Sequence, residues 1–317
     1  MKNKKNCKIF LAGHNGLVGS AILKKLKEKK YKKIIIVNKK KLDLRDQKKV
    51  LSFFKKEKPT HVIIAAAKVG GIKANNEHGA EFIYDNLQIQ NNLIHASYLY
   101  KVKGLVFLGS SCIYPKFSKQ PIKEKYLLKS ELEKTNEAYA IAKIAGVKMC
   151  EYYNYQYKTN FLSLMPCNTY GPNDNYDLQS SHFLPALIRK IYEAKLKNIN
   201  FLELWGNGKT KREIIYVDDL ADATIYFLFK NKFLNKNHII NIGSQKEFTI
   251  LKYAKIIMNI LGVNLKIKFI NPKLVGTPRK ILDCSLAKKL GWVSRTDIEE
   301  GIKETIKDFI KNYRTYK

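Results

Sequence analysis

The chain is 317 residues long, enough for a substantial core and for two lobes. Its longest apolar runs, "IIIV" and "VIIAAA", cannot span a bilayer, and no signal-peptide pattern follows the basic start "MKNKKNCK", so a cytoplasmic location is expected. The formal net charge of +32 comes from lysines spread along the whole chain, with no basic stripe and no nucleic-acid motif, which favours anionic small molecules as ligands.

The first apolar run, "CKIFLAG" (7–13), reads as a buried strand, and "LVGSAILKKLKEKK" (17–30) carries apolar residues at helical spacing. The alternation continues with strand "KIIIV" (33–37), helix "DQKKVLSFFKKEK" (46–58), strand "HVIIAAA" (61–67) and a helix over 80–100. Strand "GLVFLG" (104–109), a helix over 136–157 and strand "NFLSLMP" (160–166) follow. Short β-rich runs between helices imply βαβ units and a parallel sheet covered on both faces. The second half is less regular. It offers a loop, "GPNDNYDLQSSH", a helix over 183–195, strands around 199–205 and 213–217, and a helix over 218–229. Strand "HIINIG" (238–243), a helix over 250–262 and a helix-forming end complete it. The expected fold class is α/β: a Rossmann-like doubly wound parallel sheet with a smaller α/β substrate-binding lobe. Residues 1–167 and 213–242 are assigned to the first lobe, and 168–212 and 243–317 to the second. Ligands of such sheets bind beyond the carboxyl ends of the strands.

Between the first strand and helix stands "AGHNGLVGS", with Gly13, Gly16 and Gly19 spaced as G-x-x-G-x-x-G. Glycines there allow a tight turn and close backbone approach, and the helix start offers N–H groups to a pyrophosphate. A dinucleotide is therefore expected against Gly13, His14, Asn15, Gly16, Leu17, Val18 and Gly19. After the second strand, an NAD site usually carries an acid for the ribose hydroxyl. This chain has Asn38, Lys39, Lys40 and Lys41, so Lys39 is expected to pair with a 2′-phosphate and the cofactor to be NADP(H). Asp43 and Leu44 are placed beside the adenine.

The strand "GLVFLG" ends in "SSC", two hydroxyls and a thiol, at the ligand-binding end of the sheet. In "NEAYAIAKIAG", Tyr139 and Lys143 stand four apart on one helix face. An ammonium near the phenol is expected to lower its pKa and make it a usable proton donor or acceptor. The five cysteines, Cys7, Cys112, Cys150, Cys167 and Cys284, form no C-x-x-C pair and have no His at ligand spacing. Free thiols and no metal site are expected.

These motifs together resemble the extended short-chain dehydrogenase/reductase family, and within it the epimerase-reductases of GDP-bound 4-keto-6-deoxy sugars. The resemblance covers nearly the whole chain. It rests on "AGHNGLVGSAI", "AAAKVGGIKANN", "FLGSSCIYPK", "NEAYAIAKIAG", "GPNDN", "SHFLPALIRK" and "GTPRK". It implies NADPH-dependent epimerisation of GDP-4-keto-6-deoxy-D-mannose at C3 and C5, then reduction at C4. By the same resemblance Ser110, Tyr139 and Lys143 surround the C4 carbonyl, Cys112 is the base at the flanking carbons, and His182 is the acid. Leu108, Gly109, Ser110, Ser111 and His182 are implied to lie beside the cofactor. Pro166, Cys167, Asn168 and Thr169 are implied to line its nicotinamide. Lys190, Trp205 and Arg212 are the implied GDP-sugar contacts, Arg212 meeting the diphosphate. Dehydratases of this fold place acids after the first serine, where this chain has Ser111 and Cys112, so dehydration is disfavoured.

Two positions depart from the family pattern: Asn15 stands where arginine is common, and Val275 where an acidic substrate contact is expected. The blander readings are packing for Cys112 and Trp205, and a helix cap or core position for His182. The resemblance also implies a homodimer built on the helices near 80–100 and 136–157. Two alternatives stand beside it: a related nucleotide-sugar epimerase or reductase acting on another sugar, and a polyanion binder on a Rossmann scaffold. The intact set Ser110, Cys112, Tyr139, Lys143 and His182 argues against the second.

Overall fold

Buried apolar strands can satisfy their backbone groups only against one another, and here they do so in a single six-stranded sheet. The computed structural model describes residues 6–230, 238–270 and 277–316. The sheet consists of β1 (Lys8–Ala12), β2 (Lys33–Ile35), β3 (His61–Ile64), β4 (Gly104–Leu108), β5 (Phe161–Pro166) and, late in the chain, β9 (Ile239–Ile242). Its order is β2-β1-β3-β4-β5-β9, and every pairing is parallel. The connections reverse direction at β1, with β2 on one side and β3 on the other. That switch point opens the crevice where such sheets bind ligands.

Helices α1 (Leu17–Glu28), α2 (Gln47–Glu57), α3 (Ile72–Glu77), α4 (Gly79–Leu99), α5 (Glu137–Tyr157) and α7 (Val217–Leu228) accompany this sheet. Asp46 starts α2 by accepting from Lys49 N at 3.0 Å, the bond a helix start lacks. The strand expected over 61–67 stops at Ile64, because its partner β1 ends at Ala12. Ala65 N still reaches Ala12 O at 3.0 Å, and the chain then leaves the sheet.

The second lobe is built on α6 (Phe183–Leu196), α8 (Ile250–Leu261) and α10 (Ile298–Asn312), with α9 (Ser285–Lys289) returning towards the first. Strand β8 (Lys211–Tyr216) is its hub. It pairs with β6 (Asn168–Tyr170) and β12 (Arg279–Lys280) in parallel, and with β10 (Glu247–Thr249) antiparallel. Strand β7 (Phe201–Trp205) pairs with β11 (Lys266–Ile270). The sequence reading assigned no strand at β6, β10, β11 or β12. Three of these are two or three residues long, too short for a hydrophobic period, and β11 alternates lysine with apolar residues against a distant partner.

Two apolar clusters result. One surrounds the parallel sheet and takes in α7, Leu282, Cys284, Ala287 and Trp292. The other gathers α6, α8 and α10 around Tyr176, Tyr253 and Phe309. No described helix is long and apolar enough to cross a membrane.

Glu213 on β8 is 1% exposed, and its carboxylate accepts from Gln245 N at 2.6 Å and Leu282 N at 2.8 Å. It therefore ties two loops to the hub strand. Glu213→Ala leaves both N–H groups unpaired and should lower unfolding free energy by about 3 kcal/mol, read from urea denaturation. A loss of a few tenths would show that water replaces the carboxylate without cost.

Candidate active site

A cavity of about 990 Å³ lies beyond the carboxyl ends of β1, β3, β4 and β5. Its first wall is the glycine loop. Gly13 has φ +89°, and a Cβ there would meet Ala66 N at 2.5 Å, so only glycine follows this path. A Cβ on Gly19 would collide with the Gly13 carbonyl oxygen. Gly16 begins α1 without a side-chain cap, and no acid stands in the first turn. The first N–H groups of α1 and its positive end are thus left for a phosphate. This cradle fits a dinucleotide pyrophosphate. His14, Asn15, Leu17 and Val18 line the same wall.

At the rim, Asn15 Nδ2 donates to Asn38 Oδ1 at 3.1 Å, tying the loop to the end of β2. Lys39 lines the rim with its side chain exposed. Asp43 is held by Arg45 at 2.7 Å, and that hydrogen bond brings its carboxyl down to about 2. Arg45 also reaches Asp85 at 2.9 Å. The carboxylate is therefore already committed, and Leu44 beside it contributes apolar surface to the wall.

Strand β4 delivers the next group. Ser110 turns the chain into a 3₁₀ turn over Ser111–Ile113, its Oγ accepting from Cys112 N at 3.2 Å. The hydroxyl after the strand thus shapes the turn that presents the thiol. Leu108, Gly109, Ser110 and Cys112 line the cavity, whereas Ser111 is buried behind it. Lys143 reaches across from α5, donating to the Leu108 carbonyl at 2.8 Å. Its Nζ lies 4.7 Å from the Phe107 ring centre and 5.8 Å from that of Tyr139.

The expected lowering of the Tyr139 pKa is not found. Burial pushes the phenol well above its ordinary value, the charge of Cys112 adds to the rise, and the hydrogen bond with Ser110 offsets only part. Burial also brings Lys143 down to about 7, and its proton is shared with a backbone carbonyl. Desolvation of the anion outweighs a lysine that is itself poorly solvated. Tyr139 is consequently a protonated donor in this pocket.

Cys112 behaves differently. Burial acts upward, but the charge of Lys280 and hydrogen bonds with Ser110, Asn136 and Lys280 together bring the thiol below its ordinary value. Lys280 Nζ lies 3.7 Å from Sγ. His182 stands at the N-terminus of α6 without capping it, its ring open to the cavity. Its enclosed position, and then the Lys280 charge, push its pKa down. Pro166, Cys167, Asn168 and Thr169 form the floor after β5.

Of the expected substrate contacts, Arg212 lines the cavity. Its guanidinium, pushed down to about 10 chiefly by burial, donates to the Thr277 carbonyl at 2.6 Å. Lys190 and Trp205 stand outside the cavity lining, Lys190 Nζ lying 5.7 Å from the ring centre of a half-exposed Trp205. Val275 lies outside the described residues. The structure adds residues to which the sequence reading gave no role. Lys280 belongs to "GTPRK" and Asn75 to "AAAKVGGIKANN", so motif membership was their only signal. Buried oxygens of Asn75, Asn136, Asp174 and Ser181 have no hydrogen-bond partner, although all four residues line the cavity. Such acceptors suit a ligand rich in hydroxyl groups.

The profile of the NAD dependent epimerase/dehydratase family matches residues 9–243. The chain belongs to this family. A GDP-L-fucose synthase 1 of Arabidopsis thaliana is 48% identical over 308 residues, covering 97% of this chain and 94% of the plant protein. Among solved structures, a GDP-mannoheptose C4 reductase from Campylobacter jejuni with NADP bound is 37% identical, with a TM-score of 0.89 over 96% of this chain and 99% of that one. A GDP-L-fucose synthetase from Naegleria fowleri bound to NADP is 28% identical, with a TM-score of 0.88 over 98% of this chain and 96% of that one.

Membership makes the glycine cradle open to a direct test. Gly19→Ala displaces the Gly13 carbonyl, so dinucleotide affinity should fall by about tenfold or more in calorimetric titration. Stability should drop by about 1–3 kcal/mol through overcrowding. Unchanged affinity would move the pyrophosphate elsewhere.

Proposed function

We propose that the protein is an NADPH-dependent enzyme converting GDP-4-keto-6-deoxy-D-mannose to GDP-L-fucose, by epimerisation at C3 and C5 and reduction at C4. The observation that carries this reading is a thiol of lowered pKa, Cys112, in the same cavity as Ser110, Tyr139, Lys143 and His182. Simple ketone reduction has no use for a carbon base beside the tyrosine. The full-length likeness to GDP-L-fucose synthases supports the choice of sugar.

The residues divide the work. The C4 ketone acidifies the C–H bonds at C3 and C5. The Cys112 thiolate takes the proton, and the electron pair moves onto O4. Ser110 and Tyr139 stabilise that oxyanion by hydrogen bonds. His182 returns a proton to carbon, which inverts the centre when the proton arrives on the other face. Bound NADPH supplies the hydride that C4 then accepts. Tyr139, kept protonated by its burial, donates its proton to O4 in the same step. Arg212 is the contact for the diphosphate, and the glycine cradle, Lys39 and residues 166–169 hold the cofactor. Lys190 and Trp205 are contacts for the far end of the nucleotide sugar. In this division the cofactor lobe is residues 1–167 and 213–242 and the sugar-nucleotide lobe is the remainder, with Asn168 and Thr169 reaching the cofactor from the second lobe and β8 running across the boundary.

A second reading is a GDP-sugar C4 reductase without epimerisation, favoured by the fold match to the Campylobacter enzyme. Incubation with GDP-4-keto-6-deoxy-D-mannose and NADPH in heavy water separates the two. Deuterium at C3 and C5 of a GDP-L-fucose product is expected, and reduction without deuterium would support the second reading. Cys112→Ala should stop the exchange by about a hundredfold or more while slow C4 reduction survives. Tyr139→Phe should do the reverse, sparing cofactor binding and most exchange but abolishing reduction. A Cys112→Ala enzyme exchanging at the normal rate would remove the base assignment.

Lys39 at the rim, with no acid at the ribose position, supports NADPH over NADH. Lys39→Glu should raise KM for NADPH by about tenfold and leave that for NADH within about twofold. Equal effects would discard the 2′-phosphate contact. The exposed Tyr84 on α4 and Ile141, Tyr152 and Tyr155 on α5 support a homodimer through these helices.

A further inference from the structure

We propose that Lys280 is a positioning residue for epimerisation, its ammonium holding Cys112 as the thiolate in the free enzyme. This rests on the reading of Cys112 as the carbon base. Strand geometry puts the lysine there. In β12, Arg279 and Lys280 point to opposite faces. Arg279 goes outward to Glu247 at 2.6 Å, which leaves Lys280 facing the cavity with its Nζ 3.7 Å from Cys112 Sγ. Backbone pairing sets Lys280 opposite Arg212, so β8 and β12 bring two cations to one wall.

Among the described residues no carboxylate lies within ion-pair distance of Lys280. The neighbouring acid, Glu213, is turned to the backbone of Gln245 and Leu282. The other groups facing Cys112 are Ser110 from its own turn, Asn136 before α5, Tyr139 on α5 and Arg212 on β8. Ser110 and Asn136 are neutral, and the anion of Tyr139 would compete with the thiolate. Lys280 is thus the cation whose hydrogen bond reaches the sulfur. When the thiol ionises its proton goes to solvent, and the new charge sits beside the Lys280 side chain. Burial first, and then the Lys280 charge, lower the His182 pKa.

The test is the pH dependence of Cys112 alkylation by iodoacetamide, measured by mass spectrometry of its peptide without substrate, from about pH 6 to about pH 9. In Lys280→Met the profile should move up by at least about one unit, making alkylation near pH 7 about tenfold slower. Lys280→Arg should keep most of the native rate, and Lys280→Gln serves where Met does not fold. Deuterium exchange at C3 and C5 should follow alkylation, recovering as pH rises. An unshifted alkylation profile together with a raised KM for the GDP-sugar would overturn the proposal and make Lys280 a phosphate contact only. A shifted alkylation profile with unchanged deuterium exchange would support the lysine–thiolate pair and instead sink Cys112 as the carbon base.

Discussion

Everything in this molecule depends on β1 having parallel neighbours on both sides. With β2 and β3 leaving it in opposite directions, no helix can close over its carboxyl end, and the crevice must stay open. The loop after β1 has to pass within contact distance of Ala66, where only glycine fits. The same geometry sends Ala65 and its successors out of the sheet to become the opposite wall. Cofactor cradle and substrate wall are two results of one topological reversal.

Charge follows a second constraint. A chain with net charge +32 carries more cations than acids to pair with them, yet few of them shape the site. Lys143 is nearly stripped of water and held by a carbonyl, so its field does little for Tyr139. Lys280, less buried, lies 3.7 Å from the Cys112 sulfur and helps to lower the thiol's pKa. The two lysines share a cavity and differ in solvation and in partner, a backbone carbonyl for one and a thiol for the other. That difference separates a phenol kept protonated from a thiol prepared to lose its proton.

Much of the site was readable because its chemistry is local in sequence. The glycine spacing, the hydroxyl and thiol at the end of β4, and the tyrosine and lysine one helical turn apart each sit within a few residues of a strand end or helix start. What could not be read came from pairs far apart in the chain. Lys280 and Cys112 are separated by 168 residues and meet only because β12 pairs with β8. The unpartnered oxygens of Asn75, Asn136, Asp174 and Ser181 converge from three separate segments, the last two from one loop. Short strands such as β6 and β12 carry no periodic pattern, since their existence depends on a partner already in place.

The sequence by itself determined the parallel sheet, the glycine cradle and which functional groups stand at the strand ends and helix starts. Apolar periodicity, glycine placement and functional-group type are properties of short segments, and they survive whatever the rest of the chain does. Only the tertiary structure decided which protonation state each group favours. Solvent exclusion around Tyr139 reversed the expectation for its phenol, and a lysine from the far end of the chain contributes to lowering the pKa of the thiol. Proton affinity is a property of the surroundings, and the surroundings exist only once the fold has closed.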